Sequence, residues 1–118
     1  MRDESLTIQD LGVKDGTPWL KLSGPLTLST TLFEFQTLVR ANNSNGLALD
    51  FTAVPYIDSA GVGVLVGAYV RHQKHGNKIV LVGVNSRIRE ALKITRVEGF
   101  FEYAVNPGSE PQSDVSEY

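Results

Sequence analysis

The sequence predicts an α/β domain whose sheet is mixed: an N-terminal antiparallel hairpin followed by parallel β-α-β units. Two observations carry that expectation. Residues 5–23 alternate loosely (Leu6, Ile8, then Leu11, Val13, then Leu20, Leu22) around Lys14-Asp15-Gly16, an Asp-Gly turn signal between two strands. Further on, two short apolar runs, 47–51 and 78–84, flank one long apolar stretch beginning at Ala60. That stretch exceeds an ordinary strand and falls short of a membrane span, so it reads as a buried helix between two strands. The 118 residues suffice for one domain with its own core.

The remaining elements follow in order. Gly24-Pro25 ends the second strand, because proline cannot donate to a ladder. Leu32, Phe35, Leu38 and Val39 then fall on one helical face, and Thr31 with Glu34 has the spacing of a capping box, so a helix is expected over 31–42. Asn42 to Gly46 is a polar, glycine-ended stop signal. Leu47, Leu49 and Phe51 form the third strand. The buried helix spans 59–75, and Gly63 and Gly67 inside it are expected to lie close against a strand, since glycine costs about 1 kcal/mol against alanine there. Gly76-Asn77 caps it. Residues 78–84, with Ile79-Val80-Leu81-Val82, read as a strand covered on both faces, and a right-handed crossover is expected between it and 47–51. Asn85-Ser86 precedes a helix over 87–95 with Ile88, Leu92 and Ile94 inward and Arg87, Arg89, Glu90, Lys93 and Arg96 outward. Residues 100–105 make a last strand. Residues 1–105 are thus the domain, and 106–118, rich in Ser, Glu, Pro, Gln and Asp with one valine, read as a flexible acidic tail.

Charge and composition exclude several function classes. Residues 1–104 carry eleven Lys or Arg against ten Asp or Glu, and 105–118 add Glu110, Asp114 and Glu117, for −2 overall. A nearly neutral body has no electrostatic footprint for nucleic acid. There is no cysteine, hence no disulfide, thiolate metal site or thiol nucleophile, which suits a reducing cytosol. No signal segment or membrane span is evident, so a cytoplasmic protein is expected. His72 and His75 stand three apart but lack a third ligand and read as a solvated helix end. Arg87, Arg89, Lys93 and Arg96 can meet a phosphate or an acidic partner, and read first as a solvated face. No phosphate-binding loop and no nucleophile–base–orienter set is present, so neither an enzyme nor a cofactor is expected.

The informative stretch is Val54-Pro55-Tyr56-Ile57-Asp58-Ser59-Ala60-Gly61-Val62-Gly63. Asp58 and Ser59 sit where a loop enters the buried helix, so each is a candidate cap. The same place suits a modified hydroxyl: free amides and the helix dipole favour negative charge there, and a phosphate on Ser59 would add about two charges.

The run Ile57-Asp58-Ser59-Ala60-Gly61-Val62-Gly63-Val64-Leu65 closely resembles the phosphorylation-site segment of anti-sigma factor antagonists, the stand-alone members of the STAS domain family. Four flanking segments agree in order: Leu22-Ser23-Gly24-Pro25-Leu26 as the turn after the second strand, Leu47 to Phe51 and Ile79 to Val84 as the strands around the site, and Leu92 to Phe101 as the helix-to-strand ending. The resemblance covers roughly 5–105 and implies a STAS-like sheet with helices packed mainly on one face. It implies a function as well. The unphosphorylated protein binds an anti-sigma factor that is a serine kinase, which frees a sigma factor. Phosphorylation on Ser59 reverses this, and a metal-dependent phosphatase restores the first state. Thr27, Tyr56, Asp58, Ser59, Ala60 and Gly61 are the expected partner contacts.

This chain departs from the family in three places. Thr27 stands where many relatives carry an aspartate, Ala60 where many have a second hydroxyl, and no final amphipathic helix is readable. The alternative is a STAS module that does not switch and serves a transporter or larger signalling complex. An aspartyl-phosphate receiver domain has similar size, but the acidic pair and lysine of its magnesium site are not in register here.

Overall fold

A computed structural model of the chain describes residues 6–27, 35–37 and 46–105. Strands β1 (Thr7–Lys14), β2 (Thr17–Ser23), β3 (Leu47–Ala53), β4 (Ile79–Val82) and β5 (Glu102–Ala104) form one sheet in the order β1-β2-β3-β4-β5. The first pair is antiparallel and the other three are parallel. Helix α1 (Ser59–Lys74) joins β3 to β4, and α2 (Ser86–Ile94) with a 3-10 turn, Glu98–Phe100, joins β4 to β5. The succession of the described elements along the chain is the one the hydrophobic periods predict. Most of the helix expected over 31–42 lies outside the described residues; residues 35–37 are helical, with Phe35 fully buried. The expected tail, 106–118, also lies outside them.

The hairpin closes as its turn chemistry requires. Asp15 and Gly16 both take positive φ, 53° and 81°, which matches the right-handed twist of the two strands. From there period-two alternation sends Leu20 and Leu22, Leu47, Leu49 and Phe51, and Ile79 and Leu81 to one face. They form a single core there with Val62, Leu65 and Ala68 of α1 and Ile88 and Leu92 of α2. The residues between them, Trp19, Ala48 and Val80 in one register row and Lys21, Asp50 and Val82 in the next, point the other way. β5 is tied down by side chains. Arg89 Nε bonds Glu98 at 2.9 Å and its guanidinium lies 3.9 Å from the Tyr103 ring centroid, while the Tyr103 hydroxyl donates to the Glu98 carbonyl at 2.6 Å. Burial pushes the Tyr103 phenol up, against the pull of Arg89.

Four expectations need correcting. Gly63 and Gly67 are exposed, and a Cβ on either would meet nothing within 4 Å. At 100° per residue they lie about 200° either side of Leu65, which points inward. The glycine under compression is Gly61, whose added Cβ would collide with the Leu26 carbonyl oxygen and approach Ile57 Cγ1 at 2.7 Å. His72 is not solvated. It continues the inward stripe Leu65, Ala68, is fully buried, and its Nδ1 lies 3.1 Å from the Ala68 carbonyl oxygen. Ile94 is 69% exposed instead of inward, two positions past Leu92 and so on the opposite side of α2. Phe100 belongs to the 3-10 turn, and the last strand begins at Glu102.

Candidate functional site

All six residues expected from the sequence come together at the end of the sheet where β2 and β3 finish. The chain leaving β2 runs beside the chain leaving β3. The Gly24 N–H donates to the Ala53 carbonyl at 3.0 Å, the Leu26 N–H to Tyr56 at 3.1 Å, and the Asp58 N–H to Leu26 at 3.3 Å. Leu26 and Ile57 thereby pair as an isolated parallel bridge, both side chains buried in the core. Thr27, half-buried, follows directly and is carried next to Asp58 by that backbone pairing.

Two helix starts meet at the same edge. Asp58 is the N-cap of α1: its backbone is extended (φ −109°, ψ −174°), its carboxylate accepts the Gly61 N–H at 2.9 Å, and its carbonyl accepts the Val62 N–H at 2.9 Å. Asn85 caps α2 in the same way, accepting the Ile88 N–H at 2.9 Å, and its amide donates to the Val54 and Pro55 carbonyls at 3.2 Å each. One side chain therefore caps a helix and pins the loop that enters the site. Neither helix has an acidic residue in its first turn.

Ser59 is left with nothing to do for the fold. It is the first helical residue and exposed, and among the described residues its hydroxyl makes no hydrogen bond, because the aspartate before it has taken the cap. Tyr56 and Ala60 are half-buried around it. Gly61 is buried behind it, and its role is to let α1 approach the Leu26 carbonyl closely. Two residues not expected from the sequence belong here. Asn85 was readable only as a helix cap. Arg87 lies with its guanidinium 5.1 Å from the Tyr56 ring centroid. The sequence offered Arg87 only as one of four cations able to meet a phosphate or an acidic partner, without placing it here.

Among the described residues no group of three His, Cys, Asp or Glu is placed to hold a metal, and no helix is long and apolar enough to cross a membrane. The site is thus an exposed hydroxyl on a helix N-terminus, framed by two capped helices and a short loop. A model of the STAS domain matches residues 10–110, most of the chain.

The chain belongs to the STAS domain family.

This STAS domain is similar to the anti-sigma-B factor antagonist of Listeria monocytogenes, 36% identical over 56 residues, or 48% of this chain and 49% of that protein. That match spans about half the length of the Listeria relative. It is also similar to the anti-sigma-B factor antagonist of Staphylococcus aureus, 28% identical over 93 residues, 77% of this chain and 84% of that one. Among solved structures, an anti-sigma factor antagonist from Mycobacterium paratuberculosis overlays 98% of this chain and 96% of its own, with a TM-score of 0.72 at 18% identity. The Bacillus cell fate determinant SpoIIAA in its phosphorylated form covers 92% of this chain and 96% of its own, with a TM-score of 0.65 at 13% identity. The murine anion transporter Slc26a9 matches 67% of this chain with 14% of its own length, TM-score 0.58 at 20% identity. At such identities these structures establish the STAS fold.

Proposed function

We propose that this STAS domain is an anti-sigma factor antagonist switched at Ser59. In the unphosphorylated state it binds an anti-sigma factor through the surface formed by Thr27, Tyr56, Asp58, Ser59 and Ala60, and so releases a sigma factor in the cytoplasm. The anti-sigma factor is itself a serine kinase: the Ser59 oxygen attacks the γ-phosphorus of the kinase's ATP and ADP leaves. The phosphorylated domain binds poorly, and a metal-dependent phosphatase hydrolyses the ester to restore the hydroxyl. The domain supplies a substrate hydroxyl and a docking surface and performs no catalysis. Residues 1–105 carry this activity, with 106–118 as an acidic appendage.

The observation that carries the reading is the division of labour at Asp58 and Ser59. An ordinary cap pair would leave the serine oxygen bonded to a backbone amide, whereas here the aspartate caps and the serine is exposed and, among the described residues, unbonded. A phosphate at that position would meet a helix N-terminus, which tolerates negative charge without unfolding the domain. Names of the curated relatives support the same reading. Ala60 leaves no second hydroxyl in the motif, so incubation with ATP and the host's serine kinase of the anti-sigma factor class should give one phosphate, lost in Ser59→Ala.

A second reading rests on the fold shared with a segment of Slc26a9: a STAS module that joins a larger assembly and does not switch. Absence of any phosphate on Ser59 after incubation with each serine kinase of that class in the host would favour it.

A further inference from the structure

We propose that Arg87 is the counter-ion for negative charge on Ser59: a phosphate installed there draws the guanidinium from the face of Tyr56 and pairs with it. The inference deepens the proposed switch and rests on Ser59 as the modified residue.

Position is the first argument. Of the nine described Lys and Arg residues, Arg87 alone stands at the end of the sheet where Ser59 lies. Arg71 and Lys74 close α1, Lys93 and the following Arg96 close α2, Lys78 precedes β4, and Lys14 precedes β2, all at the opposite end. Lys21 sits mid-strand on the face away from the core, and Arg89 is held by Glu98 and Tyr103.

The second argument is that Arg87 is placed against local electrostatics. It occupies the first turn of α2, where the helix dipole disfavours a cation, and no acidic residue shares that turn. Among the described residues it forms no ion pair, Glu90 one turn on included. The Tyr56 ring is its one neighbour of note, at 5.1 Å, and an exposed cation–π contact is weak compared with a guanidinium–phosphate pair. A local choice that costs the helix and gains little is characteristic of a functional position.

The third argument is rigidity. Asn85 fastens the start of α2 to the Val54 and Pro55 carbonyls, and two residues separate Tyr56 from Ser59. Arg87 therefore hangs from a fixed point over the loop that ends in Ser59, and its long side chain alone has to move. Asp58, the residue before Ser59, is engaged with the Gly61 amide and acts as a competitor that lowers the gain without removing it. The consequence for the switch is economical: phosphorylation adds charge and at the same time withdraws a cation from the surface a partner meets.

The test needs no kinase. Phosphoserine is introduced at position 59 during translation in the full chain, and its second ionisation is followed by phosphorus NMR against pH. An opposite charge nearby favours the dianion, so the midpoint in the parent should fall below the ordinary value of about 6. Arg87→Gln should raise it by about 0.5, a threefold change in proton affinity, Arg87→Lys should recover most of the difference, and Lys93→Gln at the far end of α2 should leave the parent value. The Arg87 difference should also shrink in 1 M salt. Identical midpoints for the parent and Arg87→Gln would overturn the proposal. Failure of every kinase to modify Ser59 would defeat the proposed function while leaving this titration as it is, so the two fail separately.

Discussion

The two ends of the parallel strands are built from different materials. Where the strands begin, large rings do the holding. Tyr69 near the end of α1 stacks on Phe100 with centroids 4.5 Å apart and meets Phe101 edge-on at 6.0 Å. His72 is buried one turn on, and Lys78 pairs with Glu102 at 3.1 Å beside a groove of about 310 Å³. Where the strands finish there is no comparable aromatic cluster among the described residues. Backbone pairing from Gly24 to Asp58, two side-chain caps and the glycine at 61 do the holding instead. The difference separates stability from recognition. The ring-packed end uses its side chains on itself, whereas the capped end fixes its backbone with few atoms and leaves Ser59 and Arg87 facing outward.

If that separation is real, the largest effects on folding come from the ring-packed end. Phe101 is 5% exposed, so Phe101→Ala should cost about 3–5 kcal/mol by urea unfolding. Whatever folded protein remains should still accept phosphate at Ser59. Loss of phosphorylation in the folded fraction would join the two ends and break the comparison.

Next come the glycines of α1, where the structure gives opposite signs along one helix. Gly61→Ala forces a Cβ onto the Leu26 carbonyl and should destabilise by about 1–3 kcal/mol, with a fall in affinity for the partner because the cap and its loop are displaced together. Gly67→Ala meets open space in a helical backbone and should stabilise by roughly 0.5–1 kcal/mol. Thermal unfolding of the two variants side by side decides the matter, and equal shifts of the same sign would contradict the packing of α1.

Those glycines also mark the boundary of what the sequence discloses. The succession of elements along the chain, the hairpin turn and the β-α-β unit were legible because each rests on a period or a turn residue that only one element satisfies: Asp15-Gly16 for the hairpin, alternation for β2, an unbroken apolar and mostly β-branched run for β4. The stretch from Ala60 to Val70 is apolar on nearly every side, so no polar face announces which way it turns, and the choice between Gly61 and Gly63 or Gly67 needs the angle of Leu65. Hidden among the basic residues at that helix end, His72 was assigned to solvent for the same reason. At the site, the motif located Asp58 and Ser59 but could not divide their roles, since either residue type caps a helix. Arg87 was one of four similar cations along a helix surface, and only the fold brings it over Tyr56.

The smallest effect on folding should come from Ser59 itself. Because Asp58 holds the cap, Ser59→Ala should change unfolding free energy by less than about 0.5 kcal/mol, the range of an exposed surface substitution. A loss near 1 kcal/mol, as for a cap, would return the hydroxyl to a structural role.

The switch is tested most directly by calorimetric titration of Ser59→Ala and Ser59→Asp against the host anti-sigma kinase that binds the parent protein. Both variants should fold, since an anion at a helix start is tolerated. Ser59→Ala should bind within a few-fold of the parent. Ser59→Asp should bind at least tenfold more weakly, about 1.4 kcal/mol or more, because a charge at the contact must be desolvated against the partner. Equal affinities for the two variants would contradict the account and leave Ser59 an exposed serine at a helix start.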